Sequence, residues 1–483
     1  MKKARWLTIA LVLLCMGCAT VGPDYKRPAV EAPGKWTEST KPAAAALSLE
    51  DKAWWKSFGD PVLDSLIEQA VKSNLDLAQA RARIVQARSD LVAAGTAALP
   101  TVNAKGSVTR SQNSQNDGSL ITDPTTVYKM GFDASWEIDV FGGLRRKKEV
   151  YQAKLDASVE DLRATLLTLL GDVTQNYVDL RANQEQLDIT RRNAQAQRET
   201  VAVTRERYRM GLTSYLDAAQ AEAQLKLTES NIPTYEIAVK QSIHRLGVLL
   251  GRSPDAMKAE LSKSSPLPQT WASTETGLPS ELLTRRPDLR KAERQLAAAS
   301  ADIGVATADL YPKFDLTAGL GLQSSSTGSL LQASSRYWSI APVVSLPLFT
   351  GGKTRAAIES KKAVYDETLA RYRSTFNSAL EEVENALISC RAQQERHTVL
   401  ADSAAAYEDA LKLATERYRM GLTNFLDVLE AEKSLYGVQI NKSQSKAKLL
   451  TSLVSLNKAL GGGWKAAGAA ETPEEKEKES AKN

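Results

Sequence analysis

Between Thr204 and Leu225 the chain reads TRERYRMGLTSYLDAAQAEAQL, and from Thr415 to Leu435 it reads TERYRMGLTNFLDVLEAEKSL, which sets Tyr208 and Tyr418 210 positions apart. The duplication extends well beyond this phrase. NLDLAQARARI near Asp76 corresponds to RPDLRKAERQL near Asp288, and AALPTVNAKG near Pro100 corresponds to DLYPKFDLTAG near Pro312, both 212 positions on. VFGGLRRKKEVYQAKLDAS is answered by LFTGGKTRAAIESKKAVYDET, and LGVLLG at Leu246 by LNKALG at Leu456. A unit of about two hundred residues is too long for a solenoid repeat. The chain must therefore place two similar halves, 61–251 and 286–461, around something, with 252–285 as the linker between them.

Within each half the hydrophobic period changes sharply. From Pro61 to Ala97 apolar residues recur at three and four (Leu63, Leu66, Ile67, Ala70, Val71), behind the N-cap pair Asp60-Pro61. This predicts one long helix that Pro100 ends. Strict alternation follows in VYKMGFDASWEIDV (127–140), where Tyr128, Met130, Phe132, Ala134, Trp136, Ile138 and Val140 share one face. VNAKGSVT (102–109) alternates likewise across a Ser/Asn/Gly/Asp-rich loop, so 101–140 reads as a β-hairpin. The second half repeats it over 313–348, with Phe314, Leu316, Ala318, Leu320 and Leu322 on one face. Beyond each hairpin, 143–208 and 353–418 run without a proline, on the order of 100 Å of helix each. Return helices follow, the first from Thr213 to Leu250 and broken only at Pro233. RMGLT then falls at the turn between outgoing and returning helix, with Gly211 and Gly421 closing one helix and Thr213 and Thr423 opening the next.

A soluble sandwich also produces alternating strands, but here the apolar face has no second sheet in the sequence to cover it. The strands are therefore read as membrane-barrel strands, apolar side to lipid and polar side to a lumen. Four strands cannot close a barrel, which takes about eight or more, and open edges are not tolerated in lipid. The barrel must be shared between copies, and three copies supply twelve strands.

The first residues, MKKARWLTIALVLLCMGC, have a basic start and an apolar run from Leu7 to Leu14, the shape of a secretory signal over 1–17. Removing Lys2, Lys3 and Arg5 takes the formal charge from +5 to about +2, with no basic block suited to nucleic acid. The Gly17-Cys18 end resembles a bacterial lipobox, although Cys15 stands three places before Cys18, where such boxes usually carry Leu. Cys18 is then the lipidated first residue of an anchored segment, 18–60; the other reading is an ordinary cleavage site nearby. Ala19, where an Asp would argue for inner-membrane retention, points to the outer membrane. Cys390 remains as a single reduced thiol, so no disulfide framework is implied. With His244 and His397 as the only histidines, no metal site is expected, and no cofactor motif occurs. There is no nucleophile elbow, phosphate loop or placed catalytic base, which argues against an enzyme. Residues 462–483 are expected to form a disordered tail.

The order and doubling of WWKSFGDPVLDSLI (54–67), RPDLRKAERQLAAASADIGVATADLYPKF (286–314), the FGG and FTGGK turns and the two YRMGLT phrases make the chain resemble the TolC-like outer-membrane efflux factors. Within them it is similar to the lipoprotein branch that serves RND-type pumps. The resemblance implies a mixed α and β fold. A homotrimer would build a twelve-stranded β-barrel in the outer membrane of a Gram-negative bacterium, continued by a long α-helical barrel with a small equatorial region. It implies an inner-membrane RND pump and a periplasmic adaptor as partners, with small molecules passing through the lumen. It also places a periplasmic gate after the second tip, at Leu426, Asp427 and Glu430, with Lys433 and Tyr418 as candidates to hold it shut. Leu426 and Glu430 are four apart on one helix face, with Asp427 three from Glu430. Three copies of each carboxylate would form a cation-favouring ring. Gln220 stands where Glu430 does in the other repeat, so the halves are not equivalent. Met210, Gly211, Leu212, Met420, Gly421 and Leu422 are the expected adaptor contacts. For the charges a solvated helix face remains open, and for the tips a mere tight turn. A type I secretion conduit and a lipid-anchored coiled-coil scaffold without a pore are the rival functions.

Overall fold

The computed structural model describes residues 20–38, 53–114, 116, 123–268 and 277–468. The expected signal segment and Cys18 lie outside the described residues. By contact the chain divides into two compact units, one made of Met1–Ala29, Arg83–Ser158 and Lys291–Arg373, the other of Val30–Ala82, Val159–Arg290 and Ser374–Asn483.

The first unit holds one antiparallel sheet. β1 (Thr101–Ser111), β2 (Thr125–Ile138), β3 (Lys313–Ser324) and β4 (Arg336–Ser345) lie in that order. Register puts the alternating residues opposite one another. Phe132 faces Ala104 and Leu320, Trp136 faces Leu316, and Leu320 faces Trp338. One face is thus apolar across all four strands, and it is exposed: Phe132 is 59%, Leu320 61% and Trp338 76% accessible. The other face carries Lys105 and Asp133, whose charged atoms are 3.0 Å apart. On it Gly131 and Gly321 lie opposite each other, so close that a Cβ on either would meet the partner strand's backbone carbonyl. The Tyr337 ring covers Gly321, and the Lys129 ammonium sits 4.5 Å from that ring's centre. Such glycine pairs let a sheet bend sharply. β1 and β4 are the edges of the sheet.

At the chain's described start, the buried Arg146 binds the incoming segment. It donates to the Val21 and Gly22 carbonyls and pairs with Asp24 at 2.7 Å and Glu149 at 2.8 Å. The Tyr25 hydroxyl donates to Glu293 at 2.7 Å. Residues 20–25 are therefore fixed to the helices rather than trailing from them.

The long helices are α1 (Pro61–Ser73), α2 (Leu75–Thr96), α3 (Gly143–Arg209), α4 (Tyr215–Leu249), α5 (Pro287–Ala308), α6 (Lys353–Arg419) and α7 (Phe425–Ala459). α3 and α6 are both 67 residues long and α4 and α7 both 35, so the 210-residue offset holds from the start of α3 to the end of α4.

Three expectations need correction. The helix from Pro61 to Ala97 is two helices, because Asn74 leaves the helical conformation. Its side-chain carbonyl accepts from the Asp76 and Leu77 amides, and its Nδ2 donates to the Leu249 carbonyl at 2.8 Å. Pro233 does not break α4: its face is exposed, so water can satisfy the carbonyl left without a donor one turn back. Finally, the segment from 462 is not all tail. Trp464 is buried, donates to the Arg285 carbonyl and has the Arg163 and Arg290 guanidinium groups 5.0 and 5.7 Å from its ring. Residues 469–483 lie outside the described residues.

In the second unit Trp36 is buried among Leu282, Leu289, Phe376, Val383, Leu456 and Leu460, with its indole donating to the Gly277 carbonyl at 2.8 Å. α7 is tied along α3 by a run of polar contacts: Thr200 to Glu432, Asn193 to Gln439, Thr190 to Tyr436 and Ser443 to Glu185. No helix among the described residues is long and apolar enough to cross a membrane.

Candidate functional site

Each repeat ends its long helix in the same way. Gly211 has φ of +71° and Gly421 of +75°, the left-handed conformation that glycine reaches without a Cβ penalty. The Gly211 amide donates to the Tyr208 carbonyl and the Leu212 amide to that of Arg207; Gly421 and Leu422 do the same to Tyr418 and Arg417. These paired bonds form the Schellman closure of a helix. They leave Met210, Leu212, Met420 and Leu422 projecting, each 57–64% exposed.

The next helix starts one residue later than the sequence suggested. Its caps are Ser214 and Asn424, not Thr213 and Thr423. Asn424 accepts from the Asp427 amide at 3.2 Å, while the Thr423 hydroxyl donates to the Asp427 carboxylate. Thr213 and Asp217 repeat this last bond in the first half. Asp427 therefore stabilises the start of α7, where a carboxylate also meets the positive end of the helix dipole.

Leu426, Asp427, Glu430 and Lys433 are all exposed on α7. Lys433 approaches Glu430 to 3.9 Å, a contact between solvated groups that contributes little. Tyr418 lies elsewhere. It is 6% exposed, its ring is 5.6 Å from that of Phe425, and the Arg207 guanidinium carbon is 4.7 Å from its centre. Arg207 also donates to the Arg419 carbonyl. The Tyr418 hydroxyl is buried with no hydrogen-bond partner among the described residues, so it holds none of the α7 carboxylates here.

What buries Tyr418 and Phe425 is the first hairpin: Ala194 and Val201 of α3 with Ala221 and Leu225 of α4, joined by Val428. The equivalent rings of the first repeat, Tyr208 and Tyr215, also lie 5.6 Å apart but stay 46% and 67% exposed. Sequence reasoning missed Arg207 and Glu432. The Glu432 carboxylate accepts from Thr200 at 2.7 Å, and burial pushes its pKa above the usual range, against the opposing effect of that bond. EAEK reads as a solvated run, and only the four-residue step from the buried Val428 marks Glu432 as inward-facing.

The profile of the family described as "Outer membrane efflux protein" matches residues 66–252 and 278–462, one match per repeat. The chain is 31% identical over 465 residues to nodulation protein T of Rhizobium leguminosarum bv. trifolii, covering 96% of this chain and 98% of that protein. It is 33% identical to the pyoverdine export outer membrane protein OpmQ of Pseudomonas putida, covering 95% and 97%. Among solved structures it superposes on the outer-membrane channel OprN with a TM-score of 0.88 at 33% identity, covering 92% of this chain and all of that one. The open state of the Neisseria gonorrhoeae MtrE channel gives 0.81 at 28% identity, covering 93% and 99%. The duplicated helix–hairpin–helix chain, its outward apolar sheet face and these likenesses agree: the chain belongs to the outer membrane efflux protein family and is an efflux channel of the outer membrane.

Proposed function

We propose that three copies of this chain close a twelve-stranded barrel and serve as the exit duct of a tripartite RND-type system, coupled by a periplasmic adaptor to an inner-membrane pump. The observation that carries this reading is the sheet: four strands, a continuous exposed apolar face and two open edges. Lipid at Cys18 anchors each copy, and the Arg146 contacts hold the residues that follow near the end of β2. Small molecules are the cargo; relatives are named for pyoverdine, toluene and antibiotic efflux. Substrate moves through without a catalytic step. Leu426, Asp427 and Glu430 form the periplasmic constriction, with Lys433 beside Glu430, while Tyr418 packs behind it. The apolar tips Met210, Leu212, Met420 and Leu422, set by Gly211 and Gly421, meet the adaptor.

The test is conductance in a planar bilayer, for wild type and for Asp427→Ala with Glu430→Ala. A small, seldom open wild-type conductance that rises in the double variant is expected. Equal conductance in both would sink the gate assignment while keeping the channel. Folded trimers that conduct nothing would instead favour a poreless scaffold.

A further inference from the structure

The apolar face of the sheet carries two charges, and they stand on its two edge strands. Of the strand residues that share a face with Phe132 and Leu320, only Arg110 and Arg336 are charged. On β1 that face reads Val102, Ala104, Gly106 and Val108 before it reaches Arg110. On β4 it begins with Arg336 and runs on through Trp338, Ile340, Pro342 and Val344. The helices join the sheet at its other end, next to Thr101, Ile138, Lys313 and Ser345, so both arginines lie at the end away from the periplasm. Both are exposed, and neither side chain has a polar partner among the described residues. A charge on a lipid face is costly at the midplane of a bilayer and nearly free at its boundary. Two arginines at the outer limit of the apolar run therefore stand at the level of lipid headgroups.

We propose that Arg110 of one copy and Arg336 of its neighbour together hold a phosphate of the outer leaflet's glycolipid, lipopolysaccharide, at each seam of the barrel. This rests on the trimeric reading above. When the barrel closes, β4 of one copy runs antiparallel beside β1 of the next. Pairing those edges along their full length sets Arg110 opposite Arg336, or one lipid-facing step along, opposite Trp338. In either register the two long side chains reach one anion between them. Without it they repel, since like charges facing each other across strands destabilise a sheet. A phosphate on the seam replaces that repulsion with two charge-assisted contacts, and the planar guanidinium fork suits phosphate oxygens. The Trp338 ring, 76% exposed and one lipid-facing step from Arg336 toward the periplasm, lies where the first acyl carbons of such a lipid pass. At the periplasmic end the same face offers Val102, Ile138, Phe314 and Val344 and no cation, so the charge addresses the outer leaflet alone.

Detergent-purified trimers are titrated with diphosphoryl lipid A, and separately with phosphatidylglycerol, and the bound lipids are counted by native mass spectrometry. The seam predicts saturation at three lipid A molecules per trimer and much weaker retention of phosphatidylglycerol. Each site takes one arginine from each of two copies. Arg110→Gln and Arg336→Gln should therefore each weaken all three sites, by about tenfold for the loss of one charged contact. Arg336→Lys, which keeps the charge and loses the fork, should fall between. If each single variant instead left three sites at full affinity, the arginines would act separately and the seam would be overturned. Equal retention by wild type and by the double glutamine variant would overturn the site altogether. Phosphatidylglycerol held as tightly as lipid A would overturn the glycolipid as its occupant. Trimers that conduct normally but show no arginine-dependent retention leave the channel standing without the site, whereas protein that forms no trimer fails both readings together.

Discussion

Gly421→Ala separates two things the tip does. The residue is held at φ +75°, and a Cβ built there meets nothing within 4 Å. The substitution therefore introduces no clash, only the left-handed backbone strain of a non-glycine residue, about 1 kcal/mol. That strain acts on the closure in which Gly421 donates to Tyr418 at 3.0 Å and Leu422 to Arg417 at 2.9 Å. An increase of about 1 kcal/mol raises the population of the opened turn about fivefold. Native-state hydrogen exchange by mass spectrometry reads it directly. Protection of the Leu422 amide should fall about fivefold while amides in the middle of α6 keep theirs. Transport, measured as drug accumulation in a strain dependent on this channel, should change little, because the folded tip remains the dominant state. Met420→Asp with Leu422→Asp is the complement. Both side chains are 64% exposed, so folding is barely affected, yet the proposed apolar contact with an adaptor would be lost and accumulation should rise to that of a channel-less strain. Unchanged Leu422 protection in Gly421→Ala would refute the strain argument. Wild-type transport by the double aspartate variant would refute the tip as a contact surface.

Asn74→Ala removes a helix cap, about 1 kcal/mol, and leaves the Leu249 carbonyl without its donor, about 1–3 kcal/mol more. The melting temperature of the detergent-purified protein should drop accordingly, and Asn74→Asp, which keeps the cap acceptor, should drop less. Glu432 has a folded pKa raised by burial, so the folded state holds its proton more tightly than the unfolded state does. Its contribution is fully present below the ordinary glutamate range, about 4.5, and is lost as pH rises through the higher folded value. Glu432→Gln, still able to accept from Thr200, should raise stability at pH 7 and flatten denaturant midpoints measured between pH 4.5 and 7; a lower midpoint at pH 7 would contradict the sign. Burial pushes the Cys390 thiol up to about 11. Iodoacetamide at pH 8 should leave it unlabelled in the folded protein and label it after denaturation, as mass spectrometry would report.

The repeat was legible because helices of fixed length keep their offset, and the strands because a sheet with one face toward lipid must alternate. What escaped was local competition. In SNLDL the apolar period continues straight through Asn74, and nothing in the periodicity says that its side chain will cap α2 rather than extend α1. Pro233 carries a strong breaking signal, but its cost depends on whether the orphaned carbonyl reaches water, which only the exposed face reveals. Thr423 and Asn424 are both good capping residues, and the turn geometry set by Gly421 decides between them. For the candidate gate, spacing put Leu426, Asp427 and Glu430 on one side of a helix and the structure keeps them there. Tyr418 was out of reach of such reasoning, because its burial comes from α3 and α4, about two hundred positions away in the chain.

The open edges of β1 and β4 also have a genetic consequence. In the shared barrel proposed above, a copy whose β1 cannot pair would not merely fail alone; it would still offer its sound β4 edge to a neighbour and leave that neighbour's ring unclosed. In a cell expressing such a variant beside the normal chain, most assemblies would contain at least one faulty copy. Edge lesions should therefore behave as dominant, and lesions that abolish folding of the whole chain as recessive.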